Sequence, residues 1–241
     1  MALSTFVVWI ELSATTNPTQ DRLNFGEVKN EPGFLSIFNG KDLTGWDGQP
    51  GSWTVQNGVI QCTGKAKARN WLIWRGFGAA DFELRLDFRY RKGNSGVQVR
   101  SSDIGDWQVR GYQVEVSPAE GMGLWHHSLM SPKIEVQNTR KHLATAGQRV
   151  IIHENGEKEV EQFASAESIQ AHYKEGEWNT MTVIVKGNHL IQKINGVLFA
   201  DLTDDQAGFS SETGVIALQD HGKGADVSFR NMRIRFLKAE D

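Results

Sequence analysis

The chain has 241 residues, of which 39% are hydrophobic and 23% charged, with a formal net charge of −3. That balance supports a packed core and excludes global disorder, and the length suits one large domain or two small ones. The slight acidity argues against a general nucleic-acid binder, which carries a basic excess.

Eight Trp and 25 Gly point to a turn-rich β fold, with most of the indoles in the core and some left over as flat binding faces. The single cysteine, Cys62, excludes an intramolecular disulfide and a cysteine metal cluster. Its setting, "GVIQCTG", reads as a strand with a buried structural thiol.

In chain order, "MALSTFVVWIELSATTNPTQ" opens with an apolar run over residues 2–10, far short of the roughly 20 residues that span a bilayer. It resembles a secretory core followed by small residues, but no Lys or Arg precedes it and Glu11 interrupts it. A degenerate export signal and a plain N-terminal strand both fit. Residues 1–32 are therefore read as leader or linker, and residues 33–241 as one domain. No other segment reads as a membrane span.

"SWTVQNGVIQCTG" predicts a hairpin about Asn57-Gly58, because Asn-Gly accepts the positive φ angles of a tight hairpin turn. "NWLIWRG" follows as a short apolar strand. "DFELRLDFRYR" alternates, with Phe82, Leu84, Leu86, Phe88 and Tyr90 inward and Glu83, Arg85, Asp87 and Arg89 outward. "SGVQVRS" and "GYQVEVS" are the next strands. "PAEGMGLWHHSLMSP" breaks the pattern and is expected to be a long loop or crossover. "QRVIIHENGEKEVEQF" is a second Asn-Gly hairpin. "ASAESIQAHYKEGEW" is the one helix candidate, with Ser165 as N-cap and Gly176 beyond its end. A meander over "WNTMTVIVKGNHLIQKINGVLFADL", then "GVIALQDHG" and "ADVSFRNMRIRFL", complete eleven or twelve strands. The expected fold is all-β: two antiparallel sheets in a jelly-roll sandwich with one short helix.

Nucleotide-binding loops, dinucleotide fingerprints, zinc-protease and nucleophile-elbow motifs are absent from the sequence. What remains is a set of polar strand faces. Alternation puts Gln98 with Arg100, Gln113 with Glu115 and Ser117, and Gln219 with His221. In one sheet these would form a surface of amides, a carboxylate, a guanidinium and an imidazole, suited to vicinal hydroxyls, with Arg100 able to pair with Glu115. The plainer alternatives are a surface cross-strand pair for Arg100 and Glu115, a turn residue for Asn94, a turn closure for Gln219 and His221, and a packed loop histidine for His126 beside Trp125. Solvated strand faces favour Lys, Glu and Thr, so the Gln-rich set favours one concavity holding Gln98, Arg100, Gln113, Glu115 and His221.

The ordered segments "LSIFNGKDLTGW", "WTVQNGVI", "DFELRLDFR", "GNSGVQVRS", "GYQVEV", "EWNTMTVIVKGNHLIQKINGV", "GVIALQDHG" and "VSFRNMRIRFL" resemble the 3-keto-disaccharide hydrolase family over about residues 34–237. The resemblance implies a concanavalin A-like sandwich, action on glycosides oxidised at C3, and an exported, often periplasmic setting. A 3-keto group acidifies the C2 proton, so a base can form an enolate that expels the C1 substituent, after which water adds. An ordinary glycosidase instead sets two carboxylates about an oxocarbenium-like state.

Carried over by motif, Glu115 and His221 are the base and acid candidates and Arg100 the enolate or hydroxyl donor. Asn94, Gln98, Gln113, Trp125, His126 and Gln219 are substrate contacts, whereas Arg230 and Asn231 read as structural. A divalent ion on Glu115 and His221 fits the donor types, although no ligand spacing calls for it. Relatives carry Gly-x-Leu-Tyr and acids where this chain reads "GLWHHSLM". Either the histidines take over acid-base or ligand work, or the substrate has shifted or activity has been lost. The two readings carried forward are a hydrolase or lyase of 3-keto-glycosides and a non-catalytic sugar-binding module.

Overall fold

The computed structural model describes residues 31–131, 134–135, 140–209 and 211–238. All but the last two residues of the expected leader lie outside the described residues. The first strands are β1 (Leu35–Ser36), β2 (Trp46–Asp47), β3 (Trp53–Gln56), β4 (Val59–Cys62) and β5 (Asn70–Trp74). The long central ones are β6 (Phe82–Lys92), β7 (Ser95–Gly105) and β8 (Gln108–Val116). Then come β9 (Gly123–His127), β10 (Leu129–Ser131), β11 (Ile134–Glu135), β12 (His142–Thr145), β13 (Gln148–Ile152) and β14 (Lys158–Gln162). A short helix, α1 (Ala166–Gln170), precedes β15 (Asn179–Lys186), β16 (His189–Ile194), β17 (Val197–Asp204), β18 (Val215–Asp220) and β19 (Asp226–Phe236).

These form a two-sheet sandwich. One sheet runs β14-β13-β17-β16-β15-β6-β19-β4-β3, with β1 on β19; the other runs β12-β9-β8-β7-β18-β5-β2; β10 and β11 pair separately. The pairing is antiparallel except between β13 and β17, which are parallel, a departure from the all-antiparallel expectation. The core is filled by the inward alternates of both sheets. Phe82, Leu84, Leu86 and Phe88 from β6 face Val97, Val99, Val114 and Val116 from β7 and β8, all fully buried. Burial of each such side chain contributes about 1.5–3 kcal/mol.

Of the expected Asn-Gly hairpins, the one at 155–156 closes through the longer loop 153–157 with only Gly156 left-handed at φ 85°, whereas two other Asn-Gly pairs form the tight turn. Asn57 and Gly58 have φ of 51° and 75°, and Asn195 and Gly196 have 51° and 83°, the doubly left-handed turn that matches strand twist. Ser165 caps α1 through Ser168 N–H to Oγ at 3.2 Å. The helix stops at Gln170 rather than running to Gly176. Tyr173 leaves the helical path to stack on Phe88 and to donate its hydroxyl to Ser117 O at 3.1 Å.

The expected loop over "PAEGMGLWHHSLMSP" is instead a one-turn 3₁₀ segment and the strand β9, hydrogen-bonded between β8 and β12. Strand segments outnumber the eleven or twelve expected because pieces as short as Leu35–Ser36 and Trp46–Asp47 also pair.

One irregularity shapes the site. Between Val99 and Ser102, β7 carries one residue more than β8, with Arg100 left-handed at φ 45°. Such a bulge bends a strand and switches the faces of the residues beyond it. Past the bend, the β7–β8 hairpin folds over the outer face of β18. Trp71 N–H donates to Trp107 O at 3.0 Å, and Gln108 Nε2 donates to Arg69 O at 2.9 Å. Under the hairpin, Trp71, Ile73, Ala217 and Val109 make a small second apolar cluster.

Candidate functional site

The rest of that outer face is polar and nearly dry. Its pattern follows from register: Gln98 lies opposite Gln113, and Gln113 opposite Trp125. Ala217 lies opposite Gln98 and Gln219 opposite Trp71. Gln98, Gln113 and Gln219 are each at most 1% exposed. Buried amides must find partners, and these find one another.

Ser101 Oγ donates to Gln98 Oε1 at 2.5 Å, and Gln98 Nε2 donates to Gln113 Oε1 at 2.9 Å. Gln113 Nε2 then donates twice, to Glu115 Oε1 at 2.7 Å and to Gln219 Oε1 at 3.2 Å. Gln219 Nε2 reaches His127 Nε2 at 3.2 Å. The direction of this train is set at the carboxylate, which only accepts when ionised. Gln113 must present its NH₂ there. Each amide orientation then follows, and His127 is left accepting at Nε2 with its proton on Nδ1.

Glu115 is 7% exposed and also accepts from Asn94 Nδ2 at 3.2 Å. Neither partner is a cation. Burial therefore dominates, and the pKa rises from 4.5 to about 7 despite the two amide bonds that lower it. His127 is pulled the other way, to about 3, first by burial and then by nearby Arg69, His126 and His221, so its imidazole stays neutral. Its ring meets Trp71 edge-on at 5.1 Å. Trp125, half-buried, lies beside it at 6.3 Å and against the edge of His142 at 4.4 Å. His221 stands past the end of β18 in contact with solvent; burial, Arg69 and Lys223 lower its pKa.

The structure thus brings together Asn94, Gln98, Gln113, Glu115, Gln219 and Trp125, with His221 at the rim. It does not bring Arg100 or His126 to this face. The bulge turns Arg100 away, where its guanidinium donates to Ala80 O at 2.6 Å, to Gly187 O and to Asp81. The expected pairing of Arg100 with Glu115 is therefore absent, and Ser101 takes the outward place. Arg100 instead lines a separate cleft of about 660 Å³ with Asp81, Asn188, Glu212 and Phe236.

His126 lies opposite Tyr112 and faces the core side, edge-on to Tyr112 at 5.3 Å and to Phe209 at 5.4 Å. Sequence reasoning missed His127 as the imidazole of this face. Parity from the inward Leu124 would have found it, since Trp125 and His127 share a face and His126 cannot join them. It also missed Trp71 and Arg69, whose role depends on how the β7–β8 hairpin folds.

Among the described residues, no group of three or more His, Cys, Asp or Glu is arranged to hold a metal ion. Glu115 and His221, whose donor types would suit a divalent ion, are not joined by a third such ligand among the described residues. The donor set on this face is mainly carboxamide, which suits hydroxyls better than a cation cage.

Comparison with known proteins agrees with this architecture. A curated 3-keto-disaccharide hydrolase of Bacteroides thetaiotaomicron is 23% identical over 246 aligned residues, covering 85% of this chain and 79% of the relative. A solved structure from Parabacteroides distasonis, provisionally named a glycosyl hydrolase, superposes with a TM-score of 0.56 at 20% identity, over 86% of this chain and 94% of its own. The carbohydrate-binding module CBM66 of Bacillus subtilis gives 0.52 at 13% identity, over 79% and 95%. At these identities the solved structures attest the fold. The family model described as a 3-keto-alpha-glucoside-1,2-lyase-like domain matches residues 33–235, and the chain belongs to that family.

Proposed function

We propose that this protein cleaves 3-keto-glycosides, with Glu115 as the base that removes the C2 proton. The observation that carries this reading is the setting of Glu115: a buried carboxyl held by Gln113 and Asn94 without a cation, where burial pushes its pKa up to about 7. A general base works best with its pKa near the operating pH, and few surface carboxylates reach that value.

The chemistry follows from the substrate. The 3-keto group acidifies C2–H; Glu115 accepts that proton; the enolate pair forms the C1–C2 double bond as the C1–O bond breaks and the departing alkoxide takes a proton from solvent. Water then adds, its hydroxyl to C1 and its proton to C2, while Glu115 releases its own proton to solvent. The neutral Nδ1–H of His127 is the donor for developing negative charge, and Trp125 offers its half-exposed ring to a sugar face. The family match and the Bacteroides relative's name support the substrate class.

The test is to incubate the purified protein with a 3-keto-glucoside and with its unoxidised parent, with and without a chelator. Cleavage of the keto form alone supports the reading. Binding of either sugar without turnover would support the binding-module alternative and overturn this one.

A further inference from the structure

Gln219 sits on β18 and Gln113 on β8, with β7 between them, yet their amides meet at 3.2 Å. Neighbouring side chains on one face normally stand up from the sheet, and a residue on β7 would separate them. The register puts Gly96 there: it lies opposite Glu115 on β8. A Cβ at Gly96 would come within 2.5 Å of Gln113 Cγ and Cδ and 2.6 Å of Nε2. Gln113 therefore lies flat across β7, in space that exists because residue 96 has no side chain.

We propose that Gly96 is a positioning residue, whose bare backbone lets Gln113 lie across β7 and tie Glu115 to Gln219 and His127. This rests on reading Glu115 as the base of the reaction. Gly96 has no left-handed φ, so its role is space and not backbone conformation. The atoms that an alanine methyl would strike belong to a flexible side chain, so Gly96→Ala is accommodated by lifting Gln113 rather than by moving the strand. The fold survives while the train is cut: Glu115 loses its 2.7 Å donor, and Gln219, no longer oriented by Gln113, ceases to fix the His127 tautomer.

The experiment reads the groups directly. Carboxyl carbons are labelled in all Glu residues, Glu115 is assigned by its loss in Glu115→Gln, and its titration is followed by NMR in wild type, Gly96→Ala, Gln113→Ala and the double variant. Loss of one charge-assisted donor raises the Glu115 midpoint by about one pH unit. The two single variants give the same rise, and the double variant gives no more than either, because both remove one interaction. The ¹⁵N shifts of His127 also lose the fixed Nδ1–H pattern in Gly96→Ala. An unchanged midpoint in Gly96→Ala, or additive rises in the double variant, would overturn the proposal. These readouts need no turnover. A shifted Glu115 in a protein that fails to cleave keto-glycosides would sink the functional reading and leave the positioning intact. Cleavage with an unshifted Glu115 would do the reverse.

Discussion

His126 and His127 are adjacent in the chain and serve opposite sides of one sheet. His127 Nε2 lies 3.2 Å from Gln219 Nε2 on the outer face, whereas the His126 ring meets Tyr112 edge-on at 5.3 Å on the core side. His126 Nδ1 is 2.8 Å from Ser128 Oγ, and its other nitrogen is 3.3 Å from Phe209 O. The same side chain thus has two roles, chosen by the alternation of β9.

The two positions should separate on substitution. His127→Phe keeps a flat ring against Trp71 but removes both the donor and the acceptor of buried Gln219 Nε2, so turnover of 3-keto-glycosides falls roughly 10–100-fold and stability falls by about 1–3 kcal/mol. His126→Ala removes a packed ring with two polar contacts and costs about 2 kcal/mol of stability, while the Glu115 face stays assembled. Urea denaturation and steady-state rates on both variants check this; equal effects on rate from both would contradict it.

Glu115 carries a pH signature in stability as well as in rate. Its folded value, about 7, lies above the ordinary 4.5. A carboxyl raised on folding contributes its full stability below 4.5 and loses it as the pH rises through about 7. Between those limits the wild type therefore loses about 3 kcal/mol relative to Glu115→Gln. His127, lowered to about 3, works in the opposite direction: its contribution is full above 6.5 and is lost as the pH falls towards 3. Denaturation of wild type and Glu115→Gln at pH 5 and pH 8 should show the variant gaining on the wild type at the higher pH. Parallel stabilities would contradict the buried, unpaired carboxyl. In the same range kcat/KM should rise with pH through about 7, because the base must be ionised.

Arg100 should behave as a clamp. It is 5% exposed and joins the β7 bulge to residues 80–81 and to Gly187 at the β15–β16 turn. Arg100→Ala leaves two carbonyls and Asp81 without this donor and costs about 3 kcal/mol, or about 6–12 °C in melting temperature. Turnover per folded molecule changes by less than about threefold, because the guanidinium does not reach the Glu115 face. A loss of rate of about a hundredfold with unchanged melting would return Arg100 to the chemistry.

Cys62 reports unfolding. It is buried on β4, and burial followed by the charge of Asp220 pushes its thiol well up from the ordinary range. The thiolate is the reactive form, so alkylation in native buffer should be slow and should become fast only in denaturant. Rapid labelling of the native protein would contradict the packing around β4.

Much of this was legible in the sequence, for local reasons. The Asn-Gly turns, the alternation of β6 and the parity of Gln98, Gln113, Glu115 and Gln219 are all set within a few residues. What the alternation could not carry was the bulge at Arg100, because the left-handed residue is an arginine rather than a glycine or asparagine. The signal lay across the sheet, in the glycines that flank the bulge. A Cβ at Gly111 would meet Ser101 Oγ at 2.5 Å, and one at Gly214 would meet the Arg100 carbonyl carbon at 2.4 Å. Neither neighbour is apparent without the pairing. The strand β9 was hidden for a similar reason: "GLWHHS" has no alternation of apolar and polar residues, since both of its faces are buried.

The central claim is that cleavage proceeds through loss of the C2 proton to Glu115. It is tested most directly by turning over a 3-keto-glucoside in deuterium oxide and reading C2 of the product by NMR, against an enzyme-free control and Glu115→Gln. The account predicts deuterium at C2 in every product molecule formed by the wild type, and no turnover above background by Glu115→Gln. Cleavage that leaves protium at C2, as displacement at C1 would, contradicts it.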